Sequence, residues 1–124
     1  MTISFSDFKK LELKIGTIRA AERVPNSEKL IKLEVDFGFR AQTGADAALT
    51  DPEIKEIRQI MAGIGKAHAP ESLIDTQCIF ITNLEPRILM GLESQGMILA
   101  ASDGENNPVL LKPEKSVVPG SLIR

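Results

Sequence analysis

The chain has 124 residues, 43% of them hydrophobic and 26% charged, with a formal net charge of -2 and a pI near 5.4. That is enough chain for one packed domain, and the composition is that of a globular protein rather than a disordered one. The acidic balance argues against general attraction to polyanions, so any site for one must be a local patch. No stretch reaches the roughly 18 apolar residues of a membrane span. The N-terminus lacks the basic start and apolar run of a secretory signal, so a cytoplasmic, membrane-free protein is expected.

In chain order, Ser4 to Phe8 offers serine caps and an acid for a first turn, opening a short helix that Phe5, Phe8 and Leu11 would pin to the body. Lys14 to Val24 reads as a strand with a bulge or tight bend at Gly16, closed by Pro25-Asn26-Ser27. Ile31, Leu33, Val35 and Phe37 then alternate with Lys32, Glu34 and Asp36, the period of a strand with one face in the core and one in water. From Lys9 to Lys32 the seven basic residues (Lys9, Lys10, Lys14, Arg19, Arg23, Lys29, Lys32) outnumber the three acidic ones (Glu12, Glu22, Glu28).

Gly38 to Glu56 is long for a structureless connection. It reads as an insertion between the second and third strands. Thr50-Asp51-Pro52-Glu53 has capping-box spacing, predicting a short helix over Pro52 to Ile57. A third strand is expected from about Ile57 to Lys66, a fourth from Gln77 to Leu84 and a fifth from Gly96 to Ala101, with the apolar piece Val109 to Leu111 after them. Between the third and fourth, Pro70 and Glu71 stand where a helix accepts them. Five strands with one short helix between the third and fourth describe an all-β OB-fold barrel occupying the whole chain as a single domain.

Chemistry is sparse. One cysteine, Cys78, and one histidine, His68, leave no candidate metal site or nucleophile pair. Glu71 and Asp75 have no evident dry pocket, and Gly63-Ile64-Gly65 lacks the rest of a phosphate-cradling loop. No catalytic residue, metal or cofactor is expected. With no Trp or Tyr and five Phe, only Phe39 reads as an exposed aromatic platform for a base.

The segment Leu84-Glu85-Pro86-Arg87-Ile88-Leu89-Met90-Gly91-Leu92-Glu93-Ser94-Gln95-Gly96-Met97 resembles the signature of the tRNA-binding domain family, found at the C-terminus of many methionyl-tRNA synthetases and as free-standing tRNA-binding proteins. Phe8 to Ile18, Glu28 to Gly38 and Arg58 to Ile64 carry the same resemblance. It implies an OB-fold barrel with a C-terminal extension, a homodimer made through the N-terminal helix and that extension, and recognition of folded tRNA by backbone and shape. The Gly38 to Glu56 segment departs from the family's shorter connection.

In an OB-fold the loop between the fourth and fifth strands borders the nucleic-acid groove. Asn83, Arg87, Ser94 and Met97 are therefore the expected tRNA contacts there, with Arg87 as the electrostatic anchor. On pattern alone Lys32, with Lys29 beside it, is either a groove contact or a solvated lysine next to Glu34; the resemblance favours the groove. Gly91 and Gly96 read better as turn-shaping residues, and Lys9, Lys10 and Lys14 as a solvated face. The resemblance implies a non-catalytic protein that binds tRNA and assists a methionyl-tRNA synthetase in trans. The rival readings are a peptide-binding secretion chaperone of the same superfamily and a docking subunit of a synthetase complex.

Overall fold

The computed structural model describes residues 1–41 and 50–124. Among them the elements run α1 (Phe5–Phe8), β1 (Leu13–Arg23), β2 (Ile31–Ala41), β3 (Thr50–Ala62), α2 (Pro70–Leu73), β4 (Gln77–Ile81), β5 (Arg87–Leu89), β6 (Leu92–Ser94), β7 (Met97–Ile98), β8 (Ala100–Ser102), β9 (Pro108–Leu110) and β10 (Leu122–Ile123). The main sheet has the antiparallel order β3-β2-β1-β4-β7, with β10 added to β1. This is the all-β barrel the strand spacing predicts.

The long β1 organises the curl. Its first half pairs with β4 (Leu13↔Ile81 to Thr17↔Gln77) and its second half with β2 (Thr17↔Asp36 to Arg23↔Ile31), so one strand turns the corner between two walls. The expected irregularity lies not at Gly16 but between Ile18 and Ala20, where the register with β2 shifts. Gly16 answers a packing demand instead. A Cβ there would collide with Val35 Cγ1 and the Phe37 ring, so a hydrogen at this position lets β1 lie against the core.

The alternation along β2 is realised: Ile31, Leu33 and Val35 are fully buried and Phe37 nearly so. They form the core with Ile18, Ile60, Leu73, Cys78 and Phe80, and Phe37 meets Phe80 edge to face at 5.5 Å. Asp36, expected on the wet face, is buried as well, its carboxylate accepting the Gly38 amide at 2.7 Å. Helix α2 forms where Pro70 predicts it, and its Leu73 is buried in the core.

Two further expectations, both about helices, are corrected. The helix over Pro52 to Ile57 is strand: β3 begins at Thr50 and pairs with β2 through Phe39↔Lys55 and Ala41↔Thr50. A cross-strand ladder outweighs a local capping signal, and Pro52 is tolerated because β3 is the outer member of the sheet order. The strands thus take up both ends of the 38–56 segment, and its centre, 42–49, lies outside the described residues. β3 also stops at Ala62 rather than Lys66. In the second correction, Ser4 caps α1 as expected, its Oγ accepting the Asp7 amide at 3.1 Å, but α1 buries no residue and Phe5 is 71% exposed. Phe8 is only partly buried and Leu11 is exposed as well, so the helix is not pinned to the body as a buried element.

Candidate nucleic-acid interface

The segment between β4 and β7, expected as one loop, contains a hairpin. β5 and β6 pair through Arg87↔Ser94, Ile88↔Glu93 and Leu89↔Leu92. The two turn residues, Met90 and Gly91, both have positive φ, 50° and 79°. That is the two-residue turn whose twist matches paired strands, and it explains a glycine at position 91.

The hairpin is bolted to β3 by side-chain hydrogen bonds and one backbone bond rather than a continuous strand ladder. Ser94 Oγ accepts the Met61 amide at 2.9 Å and donates to the Gly96 carbonyl at 3.0 Å. The Gln95 amide donates to the Gln59 carbonyl at 2.8 Å, the Gln59 amide to Gln95 Oε1 at 3.1 Å, and Gln59 Nε2 to the Glu93 carbonyl at 2.8 Å. Arg58 fastens both ends of the segment: its Nη1 donates to the Thr82 carbonyl and, at 3.2 Å, to that of Gln95. Its charge is balanced by Glu56 at 2.6 Å, and its guanidinium lies 5.8 Å from the centre of the Phe37 ring.

This fixed hairpin walls a small cleft of about 50 Å³ lined by Met61, Leu84, Glu85, Arg87, Leu89, Ser94, Gly96 and Met97. Arg87 is exposed and, among the described residues, makes no ion pair. Met97 is 40% exposed at the rim. Lys32 lies across from Met61 in the β2–β3 register, which puts it on the face that carries the cleft. Lys29 packs its alkyl chain over Gly63, where a Cβ would come within 2.9 Å of its Cε, and keeps its ammonium in water.

The six expected contacts therefore separate by geometry. Arg87 and Met97 border the cleft, and Lys32 and Lys29 adjoin it through Met61 and Gly63. Ser94, expected as a contact, is buried and its hydroxyl is engaged within the protein on both sides, so it positions the hairpin. Asn83 is exposed, but its Oδ1 accepts the Glu12 amide at 2.8 Å and its Nδ2 donates to the Lys10 carbonyl at 2.6 Å. It staples the segment before β1 to the end of β4. Lys32 forms an ion pair with Glu22 at 2.7 Å, and the hydrogen bond from that pairing holds its pKa above the ordinary lysine value.

Sequence reasoning missed Arg58, Gln59 and Gln95. They stand inside stretches that carry the family resemblance, yet nothing in a single strand of sequence tells a residue that grips the hairpin from one that faces water.

A family model for a tRNA binding domain matches residues 13–122. Methionine–tRNA ligase of Methanococcoides burtonii is 45% identical over 121 residues, which are 98% of this chain and 16% of the ligase. That of Pyrococcus horikoshii is 41% identical over 122 residues, 98% of this chain and 14% of the ligase. The chain thus spans about a sixth of the length of the curated relatives it matches. Among solved structures, a MetRS related protein from Pyrococcus horikoshii superposes with TM-score 0.83 at 31% identity, covering 100% of this chain and 99% of that one. The chaperone CsaA from Bacillus anthracis str. Ames gives 0.78 at 29%, covering 100% of both chains.

Proposed function

Because the chain belongs to the tRNA-binding domain family, we propose that it holds folded tRNA by backbone and shape, catalyses nothing itself, and presents tRNA to a methionyl-tRNA synthetase in trans. The observation that carries this reading is Arg87: an exposed cation with no acidic partner among the described residues, on a hairpin held rigidly to β3, beside the face that bears Lys32 and Lys29. A guanidinium so placed can meet phosphate oxygens from a backbone that is already fixed. The scarcity of exposed aromatic rings agrees with shape recognition rather than base-by-base reading.

The likeness to a MetRS related protein supports the link to a synthetase, and the proposed place of action is the cytoplasm. A homodimer fits the exposed apolar side chains at the two ends of the chain, Phe5 at 71%, Val118 at 75% and Leu122 at 62%. Sedimentation of the purified protein checks that state.

The deciding experiment is binding of total folded tRNA across a salt series, with single-stranded RNA and the Arg87→Ala variant as controls. The expected result is salt-dependent binding of folded tRNA, poor binding of single strands, and a weaker complex for Arg87→Ala. No binding of tRNA at low salt sinks the reading.

One observation favours a second function. The hairpin tip leaves Ile88 65% and Met90 55% exposed, and a similar structure is named a chaperone. Salt-insensitive binding of unfolded peptides that Ile88→Ser weakens identifies that role.

A further inference from the structure

The aromatic ring at position 39 is turned outward by a device in the backbone. Between the pairs Asp36↔Ile57 and Phe39↔Lys55, β2 uses three residues where β3 uses two. This is a bulge, which reverses the side-chain alternation beyond it. Gly38 adopts φ 84° there and its amide is held at 2.7 Å by the buried Asp36 carboxylate. Strict alternation from Ile31 to Phe37 would aim Phe39 along the core face; the bulge puts it on the face of Asp36.

Two contacts of Lys55 fix that assignment. Its Nζ lies 3.6 Å from Asp36 Oδ2 and 5.8 Å from the centre of the Phe39 ring. Arg19 reaches the same carboxylate at 3.5 Å. The result is a half-exposed ring (48%) with half-exposed Ile57 (47%) on the same face, the half-exposed Lys55 beside the ring and the half-exposed Arg19 on the carboxylate that Lys55 also reaches.

We propose that Phe39 is a base-stacking platform, receiving an unpaired nucleobase of the bound RNA on its ring while Lys55 meets the phosphate of the same nucleotide. The proposal rests on the tRNA-binding reading and extends its footprint. A nucleotide joins a flat π face to an anionic group, which suits a ring with an ammonium group beside it; an apolar peptide segment would instead strip water from that cation without replacing it. Phe39 lies seven residues along β2 from Lys32, roughly 23 Å at strand rise. It therefore serves nucleotides that the Arg87 end does not touch.

The chain contains no tryptophan, so Phe39→Trp creates a single fluorophore at the site. Its emission is expected to be quenched as folded tRNA is added, with affinity kept. Phe39→Ala and Phe39→Leu are each expected to weaken binding on the order of tenfold, the scale of one lost base–aromatic stack. Both should leave the salt dependence unchanged because no phosphate contact is removed. Thermal melts confirm that the exposed substitutions leave the fold intact.

If Phe39→Trp emission does not change at saturating tRNA, or Phe39→Leu binds like the unmodified chain, the platform is overturned. Arg87→Ala still weakening the complex then shows that the tRNA-binding reading survives without it. If the unmodified chain binds no tRNA, both fall together.

Discussion

The hydroxyl of Ser94 accepts the amide of Met61 across the closing seam of the barrel at 2.9 Å, joining the β5–β6 hairpin to β3 at a point that solvent barely reaches. Ser94→Ala leaves that amide without its partner. The expected cost is about 1–3 kcal/mol of stability, read as a lower denaturant midpoint. Binding of tRNA should weaken with no change in salt slope, since the loss acts through hairpin position. A reduced slope would show that Ser94 reaches phosphate directly.

Arg87 should behave in the opposite way. Its side chain is exposed and makes no ion pair among the described residues, so Arg87→Ala is expected to leave the melting temperature nearly unchanged. The plot of log affinity against log salt should flatten by about one unit, the signature of one phosphate contact removed. An unchanged slope would take Arg87 out of the interface.

Lys32 is held by Glu22 at 2.7 Å, so the protein and an incoming phosphate compete for the same ammonium. Glu22→Gln removes the competitor and one negative charge from this face. Tighter tRNA binding at low salt is expected, with the gain vanishing as salt screens the charges. If Lys32→Ala and Glu22→Gln both leave affinity unchanged, Lys32 is simply a solvated lysine.

Glu12 supplies a pH test. The Thr82 hydroxyl donates to its carboxylate at 2.7 Å, and Lys14 lies 3.3 Å away. The hydrogen bond from Thr82 first, then the charge of Lys14, hold its pKa below the ordinary glutamate value of 4.5. A carboxylate depressed in the folded state contributes stability that is fully present above that ordinary value and is lost as pH falls through the lower folded one. The stability difference between the unmodified chain and Glu12→Gln should therefore shrink as pH falls from 4.5 through the acid range. A difference independent of pH would rule out linkage through Glu12.

Much of this protein is legible in its sequence, and the reason is that the legible parts are governed by local rules. The two-residue period from Ile31 to Phe37 gives a strand and its buried face; Pro70 and Glu71 give the start of α2; Ser4 gives the cap of α1. The run from Pro86 to Met97 carries the family resemblance, and the whole β5–β6 hairpin with its turn falls within those twelve consecutive residues.

What the sequence leaves undecided depends on partners distant along the chain. Thr50 to Glu53 has the local signal of a helix start, and only pairing with β2 makes it strand. Gly16 signals irregularity, yet its reason is the proximity of Val35 and Phe37. Ser94 and Asn83 have the polar groups that suit contacts with RNA, and the fold engages those groups on Met61, Gly96, Glu12 and Lys10 instead. The direction of Phe39 is set by one extra residue in a ladder, which shows only once β3 lies beside β2. Side-chain period and turn chemistry are properties of a few neighbouring residues, so the sequence determines them alone; which polar group meets solvent and which meets another strand is decided by closure of the barrel.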